Sequence, residues 1–259
     1  MMFSEVPFNE RIGAAKKAGF DAVEFWNWAN KYIPALAKDG KDAGGMFVGC
    51  IIGTDTPSRI EQYANGAMLT MDNVELYAQM VEESILAVEP LGIKTFIATV
   101  GQELPDVPRE AQQAAIIACL KAAVPILEKH GATIVLEPLN ILVNHIGYYL
   151  ATSKQGFEII EAVNSPRVKL LYDIYHQQIT EGNLIQNISK NVDLIGHFHL
   201  ADNPGRNQPG TGEINYKNVM ATISETDYDM WVGCEYRPTE GVSTVDSAQE
   251  ILGIVEDLK

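Results

Sequence analysis

The sequence predicts an α/β fold, a single (β/α)8 barrel spanning residues 1–259. Three observations carry this. Helix-like and strand-like segments alternate along the whole chain, the strand-like segments are apolar throughout, and 259 residues is close to the about 250 typical of one such barrel. Strands that are apolar on both faces belong to a parallel sheet covered outside by helices, because an antiparallel sheet with one wet face would alternate.

Taken in order, Phe8 to Gly19 has apolar residues at helical spacing and stops at a glycine, and Asp21 to Trp26 reads as the strand that follows. Met46 to Ile52 is a strand, Met71 to Leu91 a long helix closed by Gly92, and Lys94 to Val100 a strand. Val107 to His130 is a helix ended by Gly131, followed by the strand Thr133 to Glu137. The second half keeps the rhythm: helix Ser153 to Val163, strand Val168 to Asp173, a short helix Leu184 to Asn191, strand Leu194 to His199, helix Tyr216 to Ser224, strand Trp231 to Tyr236 and helix Ser247 to Leu258. Seven strands are visible. The eighth should precede Phe8, where only the stub Met1 to Val6 stands, so the first strand is expected to be short or partly missing. No linker, low-complexity segment or solenoid repeat divides the chain.

Composition narrows the function. Thirty-four acidic against nineteen basic residues leave a formal charge of −15, which repels a phosphate backbone and argues against a nucleic-acid partner. An anionic small substrate must then find its own local cation. Cys50, Cys119 and Cys234 are an odd number without CxxC spacing, each in an apolar stretch, and read as small buried hydrophobes. Without a basic start and apolar run, and without a stretch approaching about 20 apolar residues, neither a secretory signal nor a membrane partner is expected, and the expected location is the cytoplasm.

In a (β/α)8 barrel the chemistry sits at the C-terminal strand ends. Four consecutive strands end in polar groups: Glu137, Asp173, His199 and Glu235, separated by 36, 26 and 36 residues. A single carboxylate ending a strand is as readily a helix N-cap or an ion-pair partner. Three carboxylates converging on one mouth repel each other unless a divalent cation offsets the charge. Three carboxylates and an imidazole suit Mg2+, Mn2+ or Co2+ and admit Zn2+, with open positions left for substrate oxygens. His197 shares a face with His199 by strand period and is expected to support it. His130 is expected to cap its helix. His145 is either a loop residue or a substrate contact, and Glu24 either lines the mouth or is structural.

The stretches Leu136-Glu-Pro-Leu-Asn140, Tyr172-Asp-Ile-Tyr-His-Gln177, Gly196-His-Phe-His-Leu-Ala-Asp-Asn-Pro204, Pro209-Gly-Thr-Gly-Glu-Ile-Asn-Tyr216 and Trp231-Val-Gly-Cys-Glu-Tyr236 resemble hydroxypyruvate isomerases, as do Met2-Phe-Ser-Glu-Val-Pro-Phe8 and Asp21-Ala-Val-Glu-Phe25. The resemblance spans essentially the whole chain. It implies a xylose-isomerase-like TIM barrel, a metal held by Glu137, Asp173, His199 and Glu235, and proton exchange between substrate and the two glutamates. Some members carry Gln at the position of His199, whereas ketose 3-epimerases carry His. The implied activity is that of an intramolecular oxidoreductase interconverting hydroxypyruvate and tartronate semialdehyde through an ene-diolate, with Glu137 and Glu235 as catalytic residues.

His176, in the loop after Asp173, is expected to hydrogen-bond a substrate oxygen, and Arg206 to supply the cation for a substrate carboxylate. Arg237 is the weaker alternative. The partner is a small hydroxy-oxo acid or sugar, and relatives commonly form homodimers. The competing readings are a ketose 3-epimerase or oxo-acid sugar isomerase with the same metal set, a metal-dependent phosphodiesterase, and a non-catalytic sugar-binding barrel.

Overall fold

Seven parallel strands run in chain order, β1-β2-β3-β4-β5-β6-β7, in the computed structural model, which describes residues 1–258. They are β1 (Ala22–Phe25), β2 (Met46–Ile51), β3 (Thr95–Ala98), β4 (Thr133–Leu136), β5 (Val168–Asp173), β6 (Ile195–Leu200) and β7 (Val232–Cys234). Around them lie α1 (Arg11–Ala18), α2 (Ile33–Ala43), α3 (Pro57–Ala64), α4 (Val74–Ala87), α5 (Arg109–His130), α6 (Ser153–Val163), α7 (Ile174–Thr180), α8 (Leu184–Asn191), α9 (Tyr216–Ser224) and α10 (Thr244–Glu256). Each strand feeds a helix that returns outside the sheet, the connection that parallel neighbours require.

β3 is buried at every position and β6 likewise, while β4 and β5 each leave only one position partly exposed. Ile134, Leu170, Leu171 and Phe198 are fully buried. β1 and β7 are mostly half-buried, and among the described residues no ladder joins them. Residues 1–7 form turns in place of a strand, in line with the short first strand expected from the stub. The outer wall crosses this seam nonetheless. The Phe3 backbone N–H donates to Thr244 Oγ1 at 3.3 Å, and a Cβ on Gly19 would touch Leu252.

The structure adds three helices that periodicity passes over: α2, α3 and α7. Gly40 sits inside α2, where it weakens helix propensity, yet a Cβ there would come within 2.8 Å of the Phe47 ring. Close packing of α2 on β2 thus selects the glycine. α7, with seven residues, is too short for an amphipathic period. The stretch Met71 to Leu91 is α4 flanked by 3-10 turns at Met71–Asn73 and Glu89–Leu91. α5 is long and apolar enough to span a membrane by composition alone, but Ile116, Cys119, Leu120, Ala123 and Leu127 are buried in the core. Burial pushes the thiols of Cys50, Cys119 and Cys234 up to about 12, which fits their reading as hydrophobes.

Candidate active site

β5 and β6 pair Asp173 with His199, and β6 and β7 pair His199 with Gly233. Asp173 closes β5, His199 is the penultimate residue of β6, and Glu137 and Glu235 lie just beyond β4 and β7. Adjacent parallel strands in this register bring four side chains to one mouth. Each offers a ligand atom within 4.8 Å of the others.

Their environments differ. Asp173 is 1% exposed and plays two parts with its two oxygens. Oδ1 accepts the His176 backbone N–H at 3.1 Å and so caps α7, while Oδ2 faces the cluster. The N-cap alternative and the ligand alternative are therefore compatible. Glu137 is buried, and the Tyr148 hydroxyl pins its backbone by donating to the Glu137 carbonyl at 2.9 Å while accepting Val100 N–H at 2.8 Å.

His199 Nδ1 lies 3.7 Å from Glu137 Oε1 and 3.5 Å from Glu235 Oε2, and Nε2 lies 3.0 Å from Glu24 Oε1. Neither ring nitrogen makes an aligned hydrogen bond, although both are buried. Burial by itself would lower the imidazole's pKa, but Glu24, Glu137 and Glu235 around it raise it well above the ordinary histidine value. Burial and the negative charge of Glu235 push Asp173 up. Burial opposes the charge on Glu235 as well, yet His199 and Arg206 hold its carboxyl at about 2. A buried imidazole with an unpartnered nitrogen toward two carboxylates, beside that of Asp173, fits the donor set of a divalent cation.

Arg206 reaches the same mouth from the loop after β6. Its Nη2 donates to Glu235 Oε2 at 2.5 Å and lies 3.9 Å from Asp173 Oδ2, with the guanidinium 5.3 Å from the Tyr175 ring centre. The loop is organised by a residue that strand-end reasoning missed. Asp202 is fully buried and its carboxylate accepts four backbone N–H groups, from Asn203 (2.9 Å), Gly210 (2.9 Å), Gly212 (2.9 Å) and Ile214 (3.1 Å). At Gly212 a Cβ would fall 2.1 Å from the Asn203 carbonyl oxygen, so the Pro-Gly-Thr-Gly-Glu-Ile stretch folds back onto Asp202 only without a side chain there. The signal available in sequence was an aspartate followed by closely spaced glycines.

His176 lies in α7 rather than in an open loop, and it is fully buried. Its Nδ1 accepts the Asn140 backbone N–H at 3.2 Å, which leaves the proton on Nε2, 3.5 Å from Asp173 Oδ2 and without a hydrogen-bond partner. Burial pushes its pKa down to about 3, so the ring is neutral. His145 is half-buried with its ring centre 5.2 Å from that of His176. His130 ends α5 and lies 3.7 Å from Glu82. Arg237 contributes backbone: its N–H donates to the Arg206 carbonyl at 3.0 Å.

Two residues of β1 and its exit cross the seam. Trp26 Nε1 donates to Glu235 Oε1 at 3.1 Å, and Glu24 faces both histidines of β6. Positions 24 and 26 share a strand face, as do 197 and 199. Trp26 had no signal beyond being an aromatic at a strand end.

Known proteins agree with this architecture. The family model of the xylose isomerase-like TIM barrel matches residues 12–256. Hydroxypyruvate isomerase of Escherichia coli is 31% identical over 254 residues, covering 92% of this chain and 91% of its own. 2-oxo-tetronate isomerase of Pectobacterium atrosepticum is 30% identical over 238 residues, covering 92% and 89%. Among solved structures, AP endonuclease, family 2 from Brucella melitensis superposes with a TM-score of 0.87 at 28% identity, over 97% of this chain and 95% of that one. Four candidate ligand groups at strand ends of a seven-stranded parallel barrel, with relatives of this length and identity, make the chain an isomerase that belongs to the xylose isomerase-like TIM barrel family, beside the hydroxypyruvate isomerases.

Proposed function

We propose that this isomerase interconverts hydroxypyruvate and tartronate semialdehyde, with a divalent cation held by Glu137, Asp173, His199 and Glu235. The observation that carries the reading is the buried His199 whose unpartnered Nδ1 faces carboxylates of two other strands within 4 Å. The oxygen-rich set favours Mg2+, Mn2+ or Co2+ over Zn2+. When bound, the cation would supply Lewis-acid stabilisation of negative charge developing on the substrate oxygens.

The remaining work falls to the chain. The reaction removes a proton from C3, leaving an ene-diolate, and delivers one to C2, while the hydroxyl proton moves from the C3 oxygen to the C2 oxygen. Glu137 and Glu235 leave the non-adjacent strands β4 and β7 and flank the mouth, so one serves as base at C3 and the other as acid at C2. Arg206, held protonated by Glu235, Asp173 and Glu137 despite its partial burial, pairs with the substrate carboxylate. The Nε2–H of neutral His176 donates to a substrate oxygen. Tyr148 and Asn140 keep Glu137 and His176 in place.

Arg206 is also what favours an oxo acid over a neutral ketose. Phosphodiester cleavage, raised by the name of the Brucella relative, is disfavoured by the formal charge of −15 and by a carboxylate-lined mouth.

The test is isomerisation of hydroxypyruvate by metal-stripped protein with Mg2+, Mn2+ or Co2+ restored. Turnover should return with metal, and Glu137→Gln and Glu235→Gln should each lower kcat about 10²–10⁴-fold. Turnover of a neutral ketose but not of hydroxypyruvate would replace this reading with an epimerase. Turnover indifferent to both substitutions would remove the glutamates from the mechanism.

A further inference from the structure

Glu24 lies partly buried at the barrel mouth with its carboxylate shared between two imidazoles. Its Oε2 lies 2.9 Å from His197 Nε2 and its Oε1 lies 3.0 Å from His199 Nε2, with the side chain 19% exposed. Two strands make room for it. A Cβ on Gly233 of β7 would fall 2.0 Å from Glu24 Oε1, and one on Gly49 of β2 would fall 3.3 Å from Oε2. Glu24 itself comes from β1, on the far side of the seam from β7. A carboxylate desolvated this far is costly unless its partners hold it as an anion, and His199 and His197 do: they outweigh burial and keep its pKa below the ordinary range.

The two nitrogens of His199 thereby meet different surroundings. Nε2 faces Glu24 alone, whereas Nδ1 faces Glu137 and Glu235. The 3.0 Å contact is an ion-pair distance and not an aligned hydrogen bond, and a carboxylate that near Nε2 favours the tautomer with its proton there, which leaves the Nδ1 lone pair for the other three candidate ligand groups. A hydrogen bond from the distal nitrogen is the usual means of fixing which imidazole nitrogen binds a metal, and it raises the basicity of the ligating one.

We propose that Glu24 is a positioning residue that fixes the Nε2–H tautomer and the ring orientation of His199, so that Nδ1 is the metal-ligating atom, with His197 anchoring the second Glu24 oxygen. The inference rests on the metal site proposed above. It assigns Glu24 no contact with substrate. It also gives a reason for Gly233, which vacates the space that the carboxylate fills across the seam.

The experiment is Co2+ titration of metal-stripped protein, followed by its visible absorption, for the native sequence, Glu24→Ala, Glu24→Gln and Gly233→Ala, with a thermal melt of each metal-free variant. Glu24→Ala should weaken Co2+ binding about 10–100-fold and alter the absorption bands. Glu24→Gln keeps an acceptor without the charge and should recover part of the loss. Gly233→Ala leaves residue 24 intact but would place a Cβ 2.0 Å from Glu24 Oε1 and 3.0 Å from His199 Cδ2, so it should weaken binding in the same direction and at least as much as Glu24→Gln.

Glu24→Ala that melts lower yet binds Co2+ with native affinity and spectrum would overturn the proposal, because a purely structural role predicts that outcome. A second measurement needs no substitution. In Zn2+-loaded protein labelled with 15N-histidine, His199 should show a protonated Nε2 and a metal-shifted Nδ1, and the reverse pattern overturns the inference. Native protein that takes up no Co2+ or Zn2+ sinks the metal reading and this inference together. Native uptake with unaffected Glu24 variants sinks the inference alone.

Discussion

The arc β3 to β6 and the seam strands β1 and β7 are built on different terms. In the arc nearly every strand residue is buried, and in the seam most are half-exposed. Of the four candidate ligand groups, Asp173 ends β5 and His199 stands one residue before the end of β6, Glu137 follows β4, and Glu235 follows the seam strand β7. Across the seam, where no backbone ladder exists among the described residues, side chains make the connection: Trp26 to Glu235 and Glu24 to His197 and His199. The arc is thus held by packing and backbone pairing, and the seam by polar side chains that also touch the site. Stability and site geometry should therefore separate experimentally.

The largest expected effect lies in the arc. Leu170 is fully buried, with Cδ1 only 2.4 Å from where a Cβ on Gly156 of α6 would sit, so Leu170→Ala should cost about 2–5 kcal/mol in denaturant unfolding of the metal-free protein. Val232→Ala in half-buried β7 should cost roughly 1 kcal/mol. Equal costs would break the contrast between arc and seam.

Next comes the loop that carries Arg206 to the mouth. Asp202→Ala leaves four backbone N–H groups without their acceptor and should destabilise by about 1–3 kcal/mol. It should also raise KM for hydroxypyruvate more than it lowers kcat, since the loop that loses its anchor carries Arg206, the proposed partner of the substrate carboxylate. A KM left at its native value in a folded Asp202→Ala protein would detach the loop from substrate binding.

The smallest effect is in pH dependence. His199 has a raised pKa in the metal-free protein, so its contribution to stability is complete below about 6.5, its unfolded value, and is lost as pH rises through the folded value. The metal-free melting temperature should therefore decline as pH rises above about 6.5, with Glu24→Gln flattening the decline. Metal uptake at pH 7 should release protons, because a ligating imidazole must lose one of its two. Calorimetry in buffers of different ionisation enthalpy measures that release, and a value of zero would contradict the protonated state of His199.

Much of this was legible in the chain. Ser153–Val163, Val168–Asp173, Leu184–Asn191 and Tyr216–Ser224 appear in the structure with the bounds that periodicity and capping residues predict. The four ligand candidates stood out because a charged or imidazole side chain ending an apolar strand is conspicuous. α7 was not legible, since about two turns of helix over the seven residues Ile174–Thr180 leave no periodic pattern to read. Asp202 was hidden because its acceptors' partners are backbone groups, and backbone donors carry no residue identity.

By itself, the sequence determined what is local: which segments are strands, which residues end them, and that adjacent parallel strands in register must bring those ends to one mouth. The tertiary structure decided what lies across the seam. Glu24 and His197 are 173 positions apart, and they meet only because the sheet curves far enough for β1 to face β6 and β7. Curvature is the sum of twist and packing over every strand between them, and no window of sequence contains it.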